Sequence, residues 1–184
     1  RFSSFFYLLG RAMQEASTFP ELRSKRFLLR QIQQSDLAAI FFGLSHPKVI
    51  AHYGIWYESE QATQEQIDWY RCLEKEGSGV WWAICPHNRT EQLIGACGVY
   101  ELDNYNRNAD IGYWLLPAYW GQGVMRECLQ EVLRYVFDTM DLHRVEAEVE
   151  IDHQLTGDHI VRARAGVDVG HLPARRREVG VAFV

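Results

Sequence analysis

Two glycines, Gly121 and Gly123, stand immediately before an amphipathic segment of this 184-residue chain. The first N–H groups of a helix have no partner within the helix, and the helix dipole places partial positive charge beside them. Glycine allows the backbone to come close to a ligand because it carries no Cβ atom. A glycine turn that opens a helix is therefore expected to bind an anion, most simply a phosphate or a pyrophosphate.

The residues around these glycines exclude two common kinds of phosphate-binding motif. A nucleotide P-loop has a lysine directly after its last glycine, and Val124 follows Gly123 here. A dinucleotide-binding fingerprint has a third glycine three residues after Gly123, where this chain has Arg126. Two glycines separated by one residue also occur in ordinary tight turns, so a purely structural turn is the alternative at this point.

The elements around the glycines follow from the apolar pattern. Apolar residues recur with the helical period from Val124 to Met140, and an apolar strand over 109–116 precedes the turn. The same reasoning predicts strands at 26–32, 80–85, 93–102 and 143–152 and helices at 62–75 and 35–44, the latter with Ser35 as its N-cap. The predicted fold is α/β, a single domain with a mixed central sheet flanked by helices in the order β-α-α-β-β-β-α-β.

Composition limits the classes of function. The 24 acidic and 19 basic residues give a net charge of −5, which argues against a nucleic-acid-binding protein. No apolar stretch approaches the ~20 residues that span a bilayer. The four cysteines contain no Cys-x-x-Cys pair and the seven histidines show no metal-ligand spacing. We therefore expect reduced thiols, no metal and a cytoplasmic location.

The strand, turn and helix together resemble the cofactor-binding core of the GNAT superfamily of N-acetyltransferases, especially its ribosomal-protein N-terminal (alanine/serine) acetyltransferase-like branch. That branch typically has a strand like E-I-G-Y-W-L, followed by P-x-Y-W-G-x-G-x-A-x-E-A. This chain reads D-I-G-Y-W-L from Asp110 and P-A-Y-W-G-Q-G-V-M-R-E from Pro117. The resemblance extends from about Phe19 to Asp152, and at Ala118 the superfamily's broader pattern has a polar residue instead.

This resemblance implies an acetyl-CoA-dependent N-acetyltransferase whose acceptor is a primary amine, such as a protein amino terminus. A non-catalytic acyl-CoA-binding protein or an inactive paralogue is the alternative, and homodimers are common in the family. In the family, the end of the central strand binds the pantetheine arm as an extra strand would, and the backbone of the turn binds the pyrophosphate. The implied cofactor-binding residues are Tyr113, Trp114, Leu115, Leu116, Gly121, Gln122, Gly123, Val124, Met125 and Arg126.

Two carboxylates are the candidate general bases. Glu148 lies on the strand after the long helix, where some N-terminal acetyltransferases of the superfamily have a catalytic glutamate. The resemblance implies that it accepts a proton from the substrate ammonium through water. The alternative is that Glu148 belongs, with Glu146 and Glu150, to a polar strand face. Asp110 on the neighbouring strand is the second candidate base, and its alternative role is pairing with a basic residue.

Aromatic residues are concentrated on the expected acceptor side. The segment 52–57, His-Tyr-Gly-Ile-Trp-Tyr, either lines a pocket for the acceptor amine or forms a surface cluster that covers the core. The polar turn 103–108 is expected beside it. Of the adjacent Trp81 and Trp82, we expect one in the core and one partly exposed.

Both ends of the chain depart from the family pattern. Residues 1–12 are interpreted as a leader upstream of a natural start at Met13, and 13–152 as the acetyltransferase domain. Residues 153–184 form an arginine-rich tail in place of the family's last helix and strands. Our hypothesis for this tail is a shift of reading frame near Asp152.

Overall fold

One mixed sheet organises the protein in the computed structural model, which describes residues 19–53, 55–147 and 178–180. Within these residues seven strands lie side by side in chain order. The first five pair antiparallel with their neighbours, and the last two continue the sheet in parallel. The strands are β1 (Leu22–Arg23), β2 (Phe27–Gln31), β3 (Val80–Pro86), β4 (Gly95–Asp103), β5 (Asn108–Leu115), β6 (Arg144–Glu146) and β7 (Glu178–Gly180).

Four α-helices of the described chain connect these strands. They are α1 (Leu37–Leu44), α2 (Pro47–Tyr53), α3 (Glu60–Glu76) and α4 (Val124–Asp138). Short 3-10 turns over Gln34–Asp36 and Pro117–Tyr119 precede α1 and α4. Helix α4 joins β5 to the parallel strand β6, because parallel neighbours require a crossover connection.

The predicted α/β class and the mixed, helix-flanked sheet are confirmed. The structure adds three short elements that the predicted order lacked, namely β1, α2 and β7. Helix α2 has only seven residues, too few for the apolar period to show. The two ends described above, residues 1–12 and most of 153–184, lie outside the described residues. In the tail only the backbone of Glu178–Gly180 is placed, parallel to β6.

Two hydrophobic cores lie on opposite faces of the sheet. Helix α4 covers one face, and α1 and α3 cover the other. Successive side chains of a strand point to opposite faces, so Trp82 enters the first core and Trp81 the second. Both are buried, with 0% and 4% of their surface exposed. The expectation that one of them is partly exposed is therefore wrong, because helices cover the sheet on both sides.

A buried ion pair fixes the start of α1. The guanidinium of Arg30 donates two hydrogen bonds to the Asp36 carboxylate, at 2.8 and 2.7 Å. The backbone N–H of Gln33 also donates to Asp36, at 2.7 Å. Asp36, rather than the predicted Ser35, thus stabilises this end of the helix. Hydrogen bonding to Asp36 raises the pKa of Arg30, against the effect of burial, so the guanidinium stays charged.

Candidate functional site

The glycine turn has a left-handed backbone conformation at both glycines. Gly121 and Gly123 have φ angles of +69° and +70°, in the left-handed region that favours glycine. Among the described residues, a Cβ atom on Gly121 would meet nothing within 4 Å, and one on Gly123 would meet only Arg26 Nη2, at 3.9 Å. Glycine is thus required for conformation rather than for lack of space, and the turn is open to a ligand.

The N-terminus of α4 begins directly at this turn. Gly123 is the N-cap residue and offers no capping side chain. Val124 is buried and anchors the helix, Met125 is half-buried, and Arg126 is exposed. The first N–H groups of α4 therefore lie at an exposed glycine turn with the positive end of the helix dipole behind them. Residues 121–126, predicted to bind the pyrophosphate, are therefore this turn and the first three residues of α4.

Residues from the beginning of the chain hold the turn in place. Arg26 donates from its backbone N–H to Glu127 Oε1 at 2.7 Å and from its Nε to Glu127 Oε2 at 2.6 Å. Its Nη2 donates to the backbone oxygen of Gln122 at 3.1 Å. The hydroxyl of Ser24 donates to Glu127 Oε1 at 2.8 Å. The sequence shows Glu127 only as a motif match and gives no sign of this network, because it joins residues about 100 positions apart.

Two side-chain hydrogen bonds within the turn fix it against the end of β5. Trp120 donates from its indole N–H to the oxygen of Leu115 at 2.7 Å. The side-chain amide of Gln122 donates to the oxygen of Ala118 at 2.8 Å. The turn thus closes back on the strand that precedes it, and the Trp120 hydrogen bond connects the two predicted parts of the cofactor site.

Within the described residues, the register of strand β5 with β4 is longer than its register with β6. Its register with β4 reaches Leu115, opposite Gly95. Its described register with β6 covers residues 108–110 and ends with Asp110 opposite Glu146. The residues predicted to bind pantetheine, Tyr113–Leu116, therefore lie beyond the described register with β6.

The residues predicted to bind pantetheine, Tyr113–Leu116, differ in their contacts. Trp114 is buried in the core beneath α1 and α3, and its indole N–H donates to the Tyr70 hydroxyl at 3.4 Å. The backbone N–H of Leu116 donates to the oxygen of Ile94 at 2.9 Å. Burial raises the pKa of Tyr113, so this phenol is neutral at physiological pH. For Trp114, the predicted cofactor contact is therefore one of backbone atoms.

The structure describes only one of the two predicted bases, and the role of either carboxylate as a base stays a prediction. Asp110 is placed on β5, with Tyr100 opposite it on β4 and Glu146 opposite it on β6. Glu146 in turn lies 3.3 Å from Arg144. Glu148 lies outside the described residues, so its role as a base stays a prediction.

The aromatic segment 52–57 divides between the core and the surface. Tyr53 and Tyr57 pack against the core beneath α1 and α3, and the Tyr57 hydroxyl donates to Gln66 Oε1 at 2.9 Å. Burial raises the pKa of Tyr53 well above its usual value, so that it stays a neutral phenol. Trp56 is 58% exposed, and the His52 side chain lies outside the described part. Tyr53, Trp56 and Tyr57 therefore fit the alternative of a surface cluster that covers the core, and a pocket for the acceptor amine stays a prediction.

The remaining expectations concern metals, thiols and membranes. Within residues 19–53 and 55–147, no three His, Cys, Asp or Glu side chains cluster as metal ligands would. Cys85, Cys97 and Cys128 are buried free thiols, and Cys72 is an exposed one. None of the described helices is both long and apolar enough to cross a bilayer.

Comparisons with known proteins decide the family. The family described as Acetyltransferase (GNAT) domain matches residues 26–157. The chain belongs to the GNAT acetyltransferases. This assignment makes it an acetyltransferase enzyme with the fold described above, and it confirms the resemblance seen in the glycine turn and its flanking strand and helix.

Three individual proteins illustrate the range of GNAT relatives. The uncharacterized N-acetyltransferase YoaA of Bacillus subtilis (strain 168) is 34% identical over 137 residues, 74% of this chain and 77% of that protein. The ribosomal-protein-serine acetyltransferase of Escherichia coli (strain K12) is 25% identical over 96 residues, 52% of each chain. The crystal structure of spermidine N-acetyltransferase from Vibrio cholerae in complex with CoA and spermine has a TM-score of 0.58 at 21% identity, covering 67% of this chain and 70% of that one.

Proposed function

We propose that this protein transfers the acetyl group of acetyl-CoA to a primary amine, with a protein amino terminus as the acceptor. The observation that carries the proposal is the left-handed glycine turn at 121–123, which opens α4 at the end of a strand whose described register with β6 covers its first three residues. Because GNAT proteins use acetyl-CoA, we take the anion bound at this turn to be the pyrophosphate of acetyl-CoA. Similarity to a ribosomal-protein-serine acetyltransferase favours a protein amino terminus over a small amine.

The proposed roles follow from the backbone groups that are present. The N–H groups of 121–126 would bind the pyrophosphate at the positive end of α4. The backbone of Tyr113–Leu116 would pair with the pantetheine arm, beyond the described register with β6. An exposed turn with two glycines fits a diphosphate, because among the described residues nothing lies within 4 Å of where a Cβ atom on Gly121 would stand.

The reaction requires little from the protein beyond position and proton removal. The acceptor nitrogen attacks the thioester carbonyl carbon, so that a C–N bond forms and the C–S bond breaks. Sulfur leaves as the thiolate of CoA, and the proton lost from nitrogen passes to a base. Asp110 and Glu148 are the proposed bases, and a carboxylate acting through water is sufficient for this step.

The first test is binding of acetyl-CoA to the full chain by calorimetry, with NAD and ATP as controls. We expect acetyl-CoA to bind and both controls to fail. Acetyl transfer is then measured on peptides with free amino termini and on spermidine. A folded sample that does not bind acetyl-CoA would overturn the proposal, and binding without transfer to any amine would indicate the non-catalytic alternative.

Two further parts of the proposal are separate from the chemistry. We propose a cytoplasmic location, supported by four cysteines that are all free. We also propose a homodimer, supported only by its frequency in the family. Light scattering of the purified protein measures the mass, and a monomer at working concentration would contradict the dimer.

A further inference from the structure

The indole of Trp81 lies across two neighbouring strands. Trp81 on β3 is opposite Gly98 on β4, which is opposite Gly112 on β5. A Cβ atom on Gly98 would lie 2.5 Å from Trp81 Cγ, and one on Gly112 would lie 2.9 Å from its Cη2. The two glycines therefore form a flat floor for the ring, on the sheet face opposite α4.

The N–H of this indole has no hydrogen-bond partner among the described residues, although Trp81 is only 4% exposed. Three other tryptophans of the chain donate theirs: Trp82 to the oxygen of Pro20 at 2.6 Å, Trp114 to Tyr70 and Trp120 to Leu115. A buried donor without a partner is costly and is rare in folded proteins. An oxygen atom brought by a ligand would satisfy it.

The surroundings of this donor suit a group that carries positive charge. The ring centroid of Trp81 lies 5.0 Å from that of Tyr70, 5.6 Å from that of Trp69 and 6.4 Å from that of Tyr100. Aromatic faces attract ammonium groups. Opposite Tyr100 on β5 is Asp110, a carboxylate on the same face of the sheet. Trp69, 36% exposed, is the ring of this cluster nearest the solvent.

Building on the proposed function, we propose that the Trp81 indole N–H donates a hydrogen bond to the carbonyl oxygen next to the acceptor's amino group. The aromatic rings and Asp110 hold the ammonium before it loses its proton, and the Trp69 ring moves aside to admit the acceptor. The preferred substrate is then an α-amino group followed by a carbonyl, as at the start of a peptide. A polyamine carries no oxygen and would leave the donor unsatisfied.

The test compares Trp81→Phe with Trp82→Phe. Both variants lose an indole N–H from the same strand, but Trp82 points to the other core and already has a partner. Their acceptors are a serine-initiated tetrapeptide and the same peptide with its first carbonyl replaced by CH2. We expect Trp81→Phe to raise KM for the natural peptide about five- to tenfold, with little change in kcat. For the CH2 analogue, the KM of Trp81→Phe should equal that of the wild type. Trp82→Phe should leave the KM values for both peptides unchanged.

A second measurement needs only the wild-type protein, in case Trp81→Phe does not fold. The CH2 analogue should then have a KM about five- to tenfold above that of the natural peptide. Equal KM values, or efficient acetylation of spermidine with none of the peptide, would overturn the inference and leave the proposed function standing. Binding of acetyl-CoA without transfer to the peptide would also overturn it. Failure to bind acetyl-CoA at all would overturn the proposed function itself.

Discussion

Arg26 donates to the Glu127 carboxylate twice, from its backbone N–H at 2.7 Å and from its guanidinium Nε at 2.6 Å. The two bonds join the start of β2 to the first turn of α4. Because a third Arg26 nitrogen reaches the oxygen of Gln122, the same side chain also fixes the glycine turn. A surface ion pair contributes little to stability on its own. Its importance here is that it orients the N–H groups proposed to bind the pyrophosphate.

Replacing Glu127 by Gln should weaken acetyl-CoA binding several-fold and destabilise the protein by about 1 kcal/mol, because glutamine lacks the negative charge and one of the two oxygens that accept from Arg26 and Ser24. Calorimetry gives the affinity and urea unfolding the stability. The control is Glu131→Gln on the same helix, which removes an exposed pair with Arg134. Equal affinity in the two variants would contradict a positioning role for Glu127.

The contribution of the Glu127 carboxylate should also appear in the pH dependence of the protein's stability. Partial burial of Glu127 disfavours its charged form, but hydrogen bonds from Arg26 and Ser24 outweigh this and hold its pKa below the usual value. A group whose pKa is lower when folded adds stability above its unfolded pKa and loses it as pH falls through the folded one. The melting temperatures of wild type and Glu127→Gln should therefore converge between about pH 5 and pH 3. A constant difference across that range would contradict the assignment.

Replacing Gly123 by Ala should weaken acetyl-CoA binding and reduce stability by about 1 kcal/mol, because alanine is strained at φ +70°. The matched control is Gly77→Ala at the C-cap of α3, where φ is +67° and nothing described lies within 4 Å of a new Cβ. Both variants should lose similar stability in urea unfolding. Only Gly123→Ala should lose affinity, and an equal affinity would place the anion site elsewhere.

Replacing Asp36 by Asn should destabilise the protein by about 3 kcal/mol, since it leaves the Arg30 charge buried without its partner. Urea unfolding measures the loss. Asp68→Asn is the control, because its pair with Arg71 at 3.5 Å is exposed and should contribute almost nothing. A small effect of Asp36→Asn would mean that the hydrogen bonds from Arg30 to the Thr90 and Gln31 oxygens are enough to stabilise the guanidinium.

The part of the candidate site that could be predicted is the part that is continuous in sequence. The turn from Gly121 to Gly123 and the helix after it follow from glycine chemistry and the 3.6-residue period, both of which are local signals. The partnership of Arg26 with Glu127 has no local signal, because it depends on how β2 and α4 meet in space. The floor beneath Trp81 is similar, since two glycines on different strands form it only once the strands are in register.

The wrong predictions have equally specific causes. Ser35 fits an N-cap by residue type, but Asp36 lies one position later and already has Arg30 as a partner. The ion pair between Arg30 and Asp36 therefore determines the start of the helix, and the preference of serine for the N-cap position does not. Trp81 and Trp82 alternate as strand residues should, but an alternating pattern does not show whether helices cover one face of the sheet or both.

The connection between β2 and α4 also makes the shape of the glycine turn a property of the folded chain. Ser24 and Arg26 lie about a hundred residues before the helix that they hold, so their hydrogen bonds form only when distant parts of the chain have come together. Acetyl-CoA, bound at this turn as we propose, would then bind the folded protein and not the unfolded chain, and would shift the folding equilibrium toward the native protein.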